Sequence, residues 1–227
     1  MNDNTLQFHI IARVHSDFGS KFAIPRQSGL VEALSAEIVF EKPYRDAECL
    51  RGIEDFSHLW LLWQFSANAH QRWSPTVRPP RLGGNRRMGV FATRSPYRPN
   101  PIGLSSVRLL EVVHTAERGT VLRIGGADLM DGTPILDIKP YIATDCHEDA
   151  FFGFTEREEK RRCTVRCDEK LLARLPEEKR AALLGILAED PRPAYQDDPE
   201  RLYGFSFAGR EIRFRVAAGI LTVTDIE

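Results

Sequence analysis

Between Phe56 and Leu110 the chain contains neither a carboxylate nor a lysine. That excludes the mixed-sign surface expected of an ordinary soluble segment. Cysteine is scarce too. The four present (Cys49, Cys146, Cys163 and Cys167) are dispersed and form no CxxC pair. This argues against a zinc site or a CxxC redox motif, and they read as reduced thiols in a cytoplasmic protein. No apolar run approaches the roughly 18 to 20 residues of a bilayer-spanning helix. Met1 to Phe8 is polar and lacks a signal-peptide core. Neither glycine pair fits GxGxxG, which disfavours a Rossmann nucleotide site. The histidines show no HxH or HExxH spacing, so no metal is expected, and no GxSxG nucleophile motif occurs.

What fills the acid-free stretch is arginine. Arg72, Arg78, Arg81, Arg86, Arg87, Arg94, Arg98 and Arg108 make it +8 within a chain of formal net charge −1. The planar guanidinium fork suits phosphates and aromatic faces. The segment therefore reads as a surface for a polyanion, with nucleic acid the leading candidate. The proline-rich tract from Pro75 to Pro101 implies a long ordered loop interrupted by one strand, and such loops are usually functional.

Short apolar runs separated by Gly and Pro predict strands at Phe8–Val14, Ala36–Phe40, Gly89–Thr93, Val107–Val113, Thr120–Ile124 and Ile135–Ile138. Leu59–Phe65 suits a buried strand or a short helix. The pattern predicts a mainly β fold, with an N-terminal β-barrel or sandwich over residues 1–145. Thr144 to Arg162 suits a linker. Helical spacing follows over Asp168–Ala188, broken at Pro176, and then a hairpin at Tyr203–Phe207 and Ile212–Val216, with a last strand at Ile220–Thr224. Residues 146–227 are thus expected to form a small α+β domain.

Three clusters stand apart from core patterning. Pro25-Arg26-Gln27, before Ser28-Gly29, is a surface turn or a set of forked hydrogen-bonding groups. The arginine segment is the second. In the third, Gly125-Gly126-Ala127-Asp128, Asp131 follows three residues after Asp128. Such carboxylates suit a cation, a ribose diol or an amine, and equally two Asx turns. His58 precedes an apolar run and reads first as a structural residue.

At these clusters the chain resembles a known family. The runs Phe22–Gln27, Arg51–Trp60, Pro75–Asn85, Gly89–Ser95, Arg98–Gly103, Asp131–Pro134, Asp137–Tyr141 and Asp190–Tyr195 are similar, in order, to the TsaA-like family. Its tRNA-methylating branch is the nearest match. The resemblance implies a non-Rossmann β-barrel that uses S-adenosyl-L-methionine and works as a homodimer. Its substrate is the threonylcarbamoyladenosine 3′ of the tRNA anticodon, methylated on N6. Matched by motif, the implied cofactor contacts are Pro25, Arg26, Gln27, Ser66, Ala67, Arg94, Leu104, Gly125, Gly126, Ala127 and Asp128. Relatives carry His-Gln where this chain has Ser66-Ala67, a departure under which the implied contact holds only if the backbone makes it. Arg78, Arg81, Arg86, Arg87 and Arg98 are left to grip RNA. Asp131 and His58 are the candidates for proton acceptor. The rival readings are a non-catalytic RNA-binding barrel and a small-ligand-binding regulator.

Overall fold

The computed structural model describes residues 6–68, 72–79, 86–157, 162–192, 196 and 198–227. Its strands are β1 (Ala12–His15), β2 (Ser35–Phe40), β3 (His58–Gln64), β4 (Thr76–Val77), β5 (Met88–Gly89), β6 (Ile102–Thr115), β7 (Gly119–Gly125), β8 (Pro134–Pro140) and β9 (Thr164–Arg166). Helices α1 (Glu169–Leu172) and α2 (Glu177–Ala188) follow, then β10 (Tyr203–Phe207), β11 (Arg210–Ala217) and β12 (Ile220–Ile226).

Six strands close into a ring in the order β1-β2-β7-β6-β3-β8, with every pairing antiparallel. Alternation along each strand sets what the ring encloses. Leu59 and Leu61 of β3, Val107 of β6, Ile38 of β2 and Leu122 and Ile124 of β7 all point inward and are buried. Each such side chain contributes about 1.5–3 kcal/mol on leaving water.

The apolar run at Leu59–Phe65 is thus a strand. The expected strand at Gly89–Thr93 is not formed as such. Only Met88 and Gly89 pair, with Thr76 and Val77. Val90 then turns into a single 3₁₀ turn, its side chain buried and its carbonyl accepting from the Thr93 N–H. With only a two-residue partner strand beside it, the run curls and leaves Phe91 exposed. In contrast β6 is longer than its apolar run suggests, because pairing with β3 continues down to Ile102.

The second core lies in a four-stranded sheet, β10-β11-β12-β9, covered by α2. Helix α2 buries Ala182, Leu183, Ile186 and Leu187 against Phe205, Phe207, Phe214 and Leu221. The short strand β9, outside the expected elements, joins the sheet parallel to β12.

This core is not built only from the C-terminal third. The connection between β1 and β2 contributes Phe18, Ala23, Val31 and Leu34 to it. The Phe18 ring lies 5.5 Å from that of Phe207. The Asp17 carboxylate pairs with Lys179 Nζ at 2.6 Å, and its carbonyl accepts from the Ala208 N–H at 3.1 Å. Gly185 of α2 lies directly beneath Val31, where a Cβ would come 2.6 Å from Cγ1. Among the described residues no helix is long and apolar enough to cross a membrane.

Candidate functional site

The segment that docks on the second core is the one that carries Pro25, Arg26 and Gln27. Beyond Gln27 it turns back to the ring. The Gly29 N–H donates to the Gly126 carbonyl at 2.9 Å, and the Gly126 N–H to the Leu34 carbonyl at 2.8 Å. Gly126 has φ +69°, and a Cβ there would sit 3.1 Å from the Gly29 backbone. A side chain would therefore meet both a backbone penalty and a close approach. Glycine at this position allows the 125–128 loop to lie against the Pro-Arg-Gln segment.

Asp128 is held from inside the ring. The register of β3 on β6 sets Trp63 opposite Gly103, and the indole occupies the space a side chain at Gly103 would need. From there Trp63 Nε1 donates to Ser105 Oγ at 3.0 Å, and Ser105 Oγ donates to Asp128 Oδ1 at 2.7 Å. The hydroxyl accepts from one neighbour and donates to the next, using both of its capacities. Burial pushes the Asp128 carboxyl above the ordinary carboxylate range, while the Ser105 hydroxyl, the nearby Arg94 guanidinium and the backbone at Ser28 pull it back. Arg94 also donates to Gln27 Oε1. Gln27, Arg94, Asp128, Ser105 and Trp63 thus form one linked cluster drawn from four separate stretches of chain.

A second link closes the same side. Lys21 Nζ reaches the Ala67 carbonyl at 2.9 Å and Asn68 Oδ1 at 2.7 Å. The 3₁₀ turn Ser66–Asn68 at the end of β3 is thereby tied to the Pro-Arg-Gln segment through a backbone oxygen. This suits a position where side-chain identity is not the recognition element.

The other expected residues are distributed as follows. Pro25 is buried and Arg26 exposed. Gly125 and Ala127 are buried beside Asp128. Leu104 projects outward, 47% exposed, on the opposite face of β6 from Ser105. His58 begins β3, at the end away from Gln64, where it meets Ser57 Oγ at 2.9 Å and lies edge-on to Tyr141. Asp131 is exposed and accepts from the Ser16 N–H at 3.1 Å, with His15 Nδ1 3.7 Å away. Arg78 and Arg86 are exposed. Arg87 donates to the Thr76 hydroxyl at 2.8 Å and Arg98 to the Thr93 carbonyl at 2.8 Å. These named partners are uncharged, so they leave the positive charge unneutralised. Arg81 lies outside the described residues. Of the Asp190–Tyr195 run, Asp190 and Arg192 form a buried bidentate pair with both contacts at 2.9 Å, and Pro193–Tyr195 lie outside the described residues.

Trp63, Ser105 and Lys21 were not singled out in the sequence. The alternation of β6 marks Ser105 as an inward polar residue, which is the available signal. The bond to Asp128 requires the fold.

Among known proteins, residues 13–146 match the family model described as the tRNA-methyltransferase O N-terminal domain, and residues 160–227 match the TrmO C-terminal domain. The chain is 43% identical to the Escherichia coli (strain K12) protein named tRNA (adenine(37)-N6)-methyltransferase, across 99% of both chains. A Pyrococcus abyssi protein named "Probable S-adenosyl-L-methionine-binding protein" is 36% identical over 65% of this chain and 74% of its own. A crystal structure of TrmO from Pseudomonas aeruginosa superposes with a TM-score of 0.77 at 32% identity, covering 98% of this chain and 99% of that one.

Proposed function

Since the chain belongs to the tRNA-methyltransferase O family, we propose that it transfers a methyl group from S-adenosyl-L-methionine to N6 of the adenosine at position 37 of tRNA. The base we assign as substrate is threonylcarbamoyladenosine, converted to its N6-methyl form. The protein would act in the cytoplasm as a homodimer, with a ring domain over residues 1–145 holding the cofactor outside any doubly wound parallel sheet, and a small domain over 146–227.

The observation that carries this reading is the Gln27–Arg94–Asp128–Ser105–Trp63 cluster, in which a hydrogen-bonded carboxylate is held near an arginine of the acid-free segment. Its donor set fits the cofactor. A carboxylate accepts from ribose hydroxyls or an ammonium, and a guanidinium pairs bidentately with a carboxylate. Asp128 and Arg94 take those roles, and Pro25, Arg26, Ser66, Ala67, Leu104 and the Gly125–Ala127 backbone complete the binding surface. When bound, the cofactor supplies an electrophilic methyl on a sulfonium, whose positive charge disperses as the methyl leaves.

The protein therefore needs no oxyanion hole. Its work is to hold the reacting atoms in line, roughly 3–3.5 Å apart, and to exclude water. The linked hydrogen bonds from Trp63 to Asp128 and from Arg94 to Gln27 fix the carboxylate and the guanidinium before binding, which reduces the ordering cost. The substituted N6 is amide-like, so a proton acceptor assists its attack. Asp131 rides on the same loop as Asp128, which favours it over His58 at the far end of β3. Arg78, Arg81, Arg86, Arg87 and Arg98 bind RNA phosphates.

The direct test incubates the protein with labelled S-adenosylmethionine and tRNA lacking the methyl group, then analyses the nucleosides by mass. Methylated threonylcarbamoyladenosine is expected. A folded protein that binds cofactor and leaves that nucleoside unchanged would refute the assignment.

A further inference from the structure

Arginine accounts for the charge of the acid-free segment, yet three of its large aromatic side chains also face solvent. Trp73 is 54% exposed, Phe91 76% and Tyr97 41%. They belong to one small unit. The Ser74 N–H donates to the Tyr97 carbonyl at 3.2 Å, and the Val90 N–H to the Pro75 carbonyl at 3.0 Å. The β4–β5 pairing continues directly from the second of these links. The residues that precede Ser74 and follow Val90 are Trp73 and Phe91, so all three aromatics ride on the same tied turns. Arg98, anchored on the Thr93 carbonyl, places its guanidinium 6.0 Å from the centre of the Phe91 ring.

Exposed aromatics grouped on one unit mark a contact surface. The charge around them selects the partner. Arg72, Arg78, Arg86, Arg87, Arg94 and Arg98 lie in the same stretch, with no carboxylate in it. Aromatic faces interleaved with arginine are what unstacked bases and their phosphates require.

We propose that Trp73, Phe91 and Tyr97 form a stacking platform for splayed bases of a single-stranded RNA loop, with the Arg98–Phe91 pair as its fixed end. This rests on the tRNA reading above and extends it. The arginines supply sequence-independent grip, and the aromatics hold the loop open beside the pocket. Because stacking is tolerant of base identity, the platform selects an unpaired loop rather than a particular sequence.

The test uses the full chain and a synthetic anticodon stem-loop RNA carrying 2-aminopurine at successive loop positions. Binding is followed by fluorescence at several salt concentrations. Replacing Phe91, Trp73 or Tyr97 by Ala is expected to weaken stem-loop binding about tenfold each. It should also abolish the 2-aminopurine quench at one position, while leaving the salt slope unchanged. Phe91→Trp is expected to restore binding and Phe91→Leu to fail, which separates ring stacking from simple apolar bulk. Arg87→Ala should instead lower the salt slope by about 1.

Calorimetric binding of S-adenosylmethionine, unchanged in the aromatic variants, reports that the fold and pocket are intact. Wild-type stem-loop affinity in all three alanine variants would overturn the platform and leave the methyltransferase reading standing. So would loss of a dimer in sedimentation with RNA affinity unchanged, which would assign the surface to a second copy of the chain. Wild-type protein that binds the stem-loop through the aromatics but transfers no methyl to tRNA carrying threonylcarbamoyladenosine would overturn the methyltransferase reading alone.

Discussion

Ser105→Ala removes the central member of the Trp63–Ser105–Asp128 chain. The lost bond is a 2.7 Å hydroxyl-to-carboxylate contact. Bonds to charged acceptors are worth about 1.5–3 kcal/mol, and a buried donor left without its acceptor, here Trp63 Nε1, adds about 1 kcal/mol more. The expected loss is about 2–4 kcal/mol, or roughly 4–16 °C in Tm for a chain of this size. The effect also has a pH signature. Burial raises the folded-state pKa of Asp128, so between the unfolded value and the folded one the folded protein binds more protons. Stability therefore falls as pH rises through that window. Ser105 counters this by favouring the ionised form, and its contribution is present when the carboxylate is charged and lost when it is protonated. The variant should accordingly be most destabilised near neutral pH and approach wild type in mild acid. Asp128→Asn, which keeps an acceptor and removes the charge, should flatten the difference. Thermal melts from about pH 4 to 8 on the single variants and their combination supply the cycle. Parallel stability curves for Ser105→Ala and wild type would refute the reasoning.

Gly126→Ala is expected to cost about 1–2 kcal/mol through its positive φ, and to raise the KM for S-adenosylmethionine more than that for tRNA, read by steady-state kinetics. Lys21→Ala should loosen the Ser66–Asn68 turn, with calorimetry showing several-fold weaker cofactor binding at a Tm within about 2 °C of wild type, since a part-exposed contact contributes about 1 kcal/mol or less. Gly185→Ala, on the far side of the second core, is expected to destabilise by about 1–3 kcal/mol through overpacking against Val31. It should also weaken cofactor binding, and Val31→Ala in the same chain should recover part of both losses.

The ring was the most legible part of the fold, because β2, β3, β7 and β8 alternate or run apolar between Gly and Pro punctuation. The terminal hairpin announced itself through Ala208-Gly209 between two apolar runs. The destination of Ser16–Leu34 was not readable. Phe18, Ala23, Val31 and Leu34 follow neither a two-residue nor a helical period, so their burial depends on a surface formed nearly 200 residues later. The same limit applies at the site. Pro25–Gln27, Arg94 and Asp128 stand out as residue types, and the structure brings Gln27, Arg94 and Asp128 together. The support beneath them depends on strand register, which sets Trp63 against Gly103. Leu104 shows the converse: one step along β6 from Ser105, it faces the other way.

The docking of Ser16–Leu34 on the second core makes the heritable unit of this protein discontinuous. A chimera joined near residue 145 would pair the Pro-Arg-Gln segment from one parent with a floor from another. Val31 would then meet whatever residue replaced Gly185, and Asp17 would lose its ion pair with Lys179 unless the other parent also carries a cation there. A viable graft must move residues 16–34 together with the small domain, across two junctions at β1 and β2. Sequence drift in α2 or β10 would then be felt first in the packing of residues 16–34, and mutations that restore it should accumulate near the N-terminus.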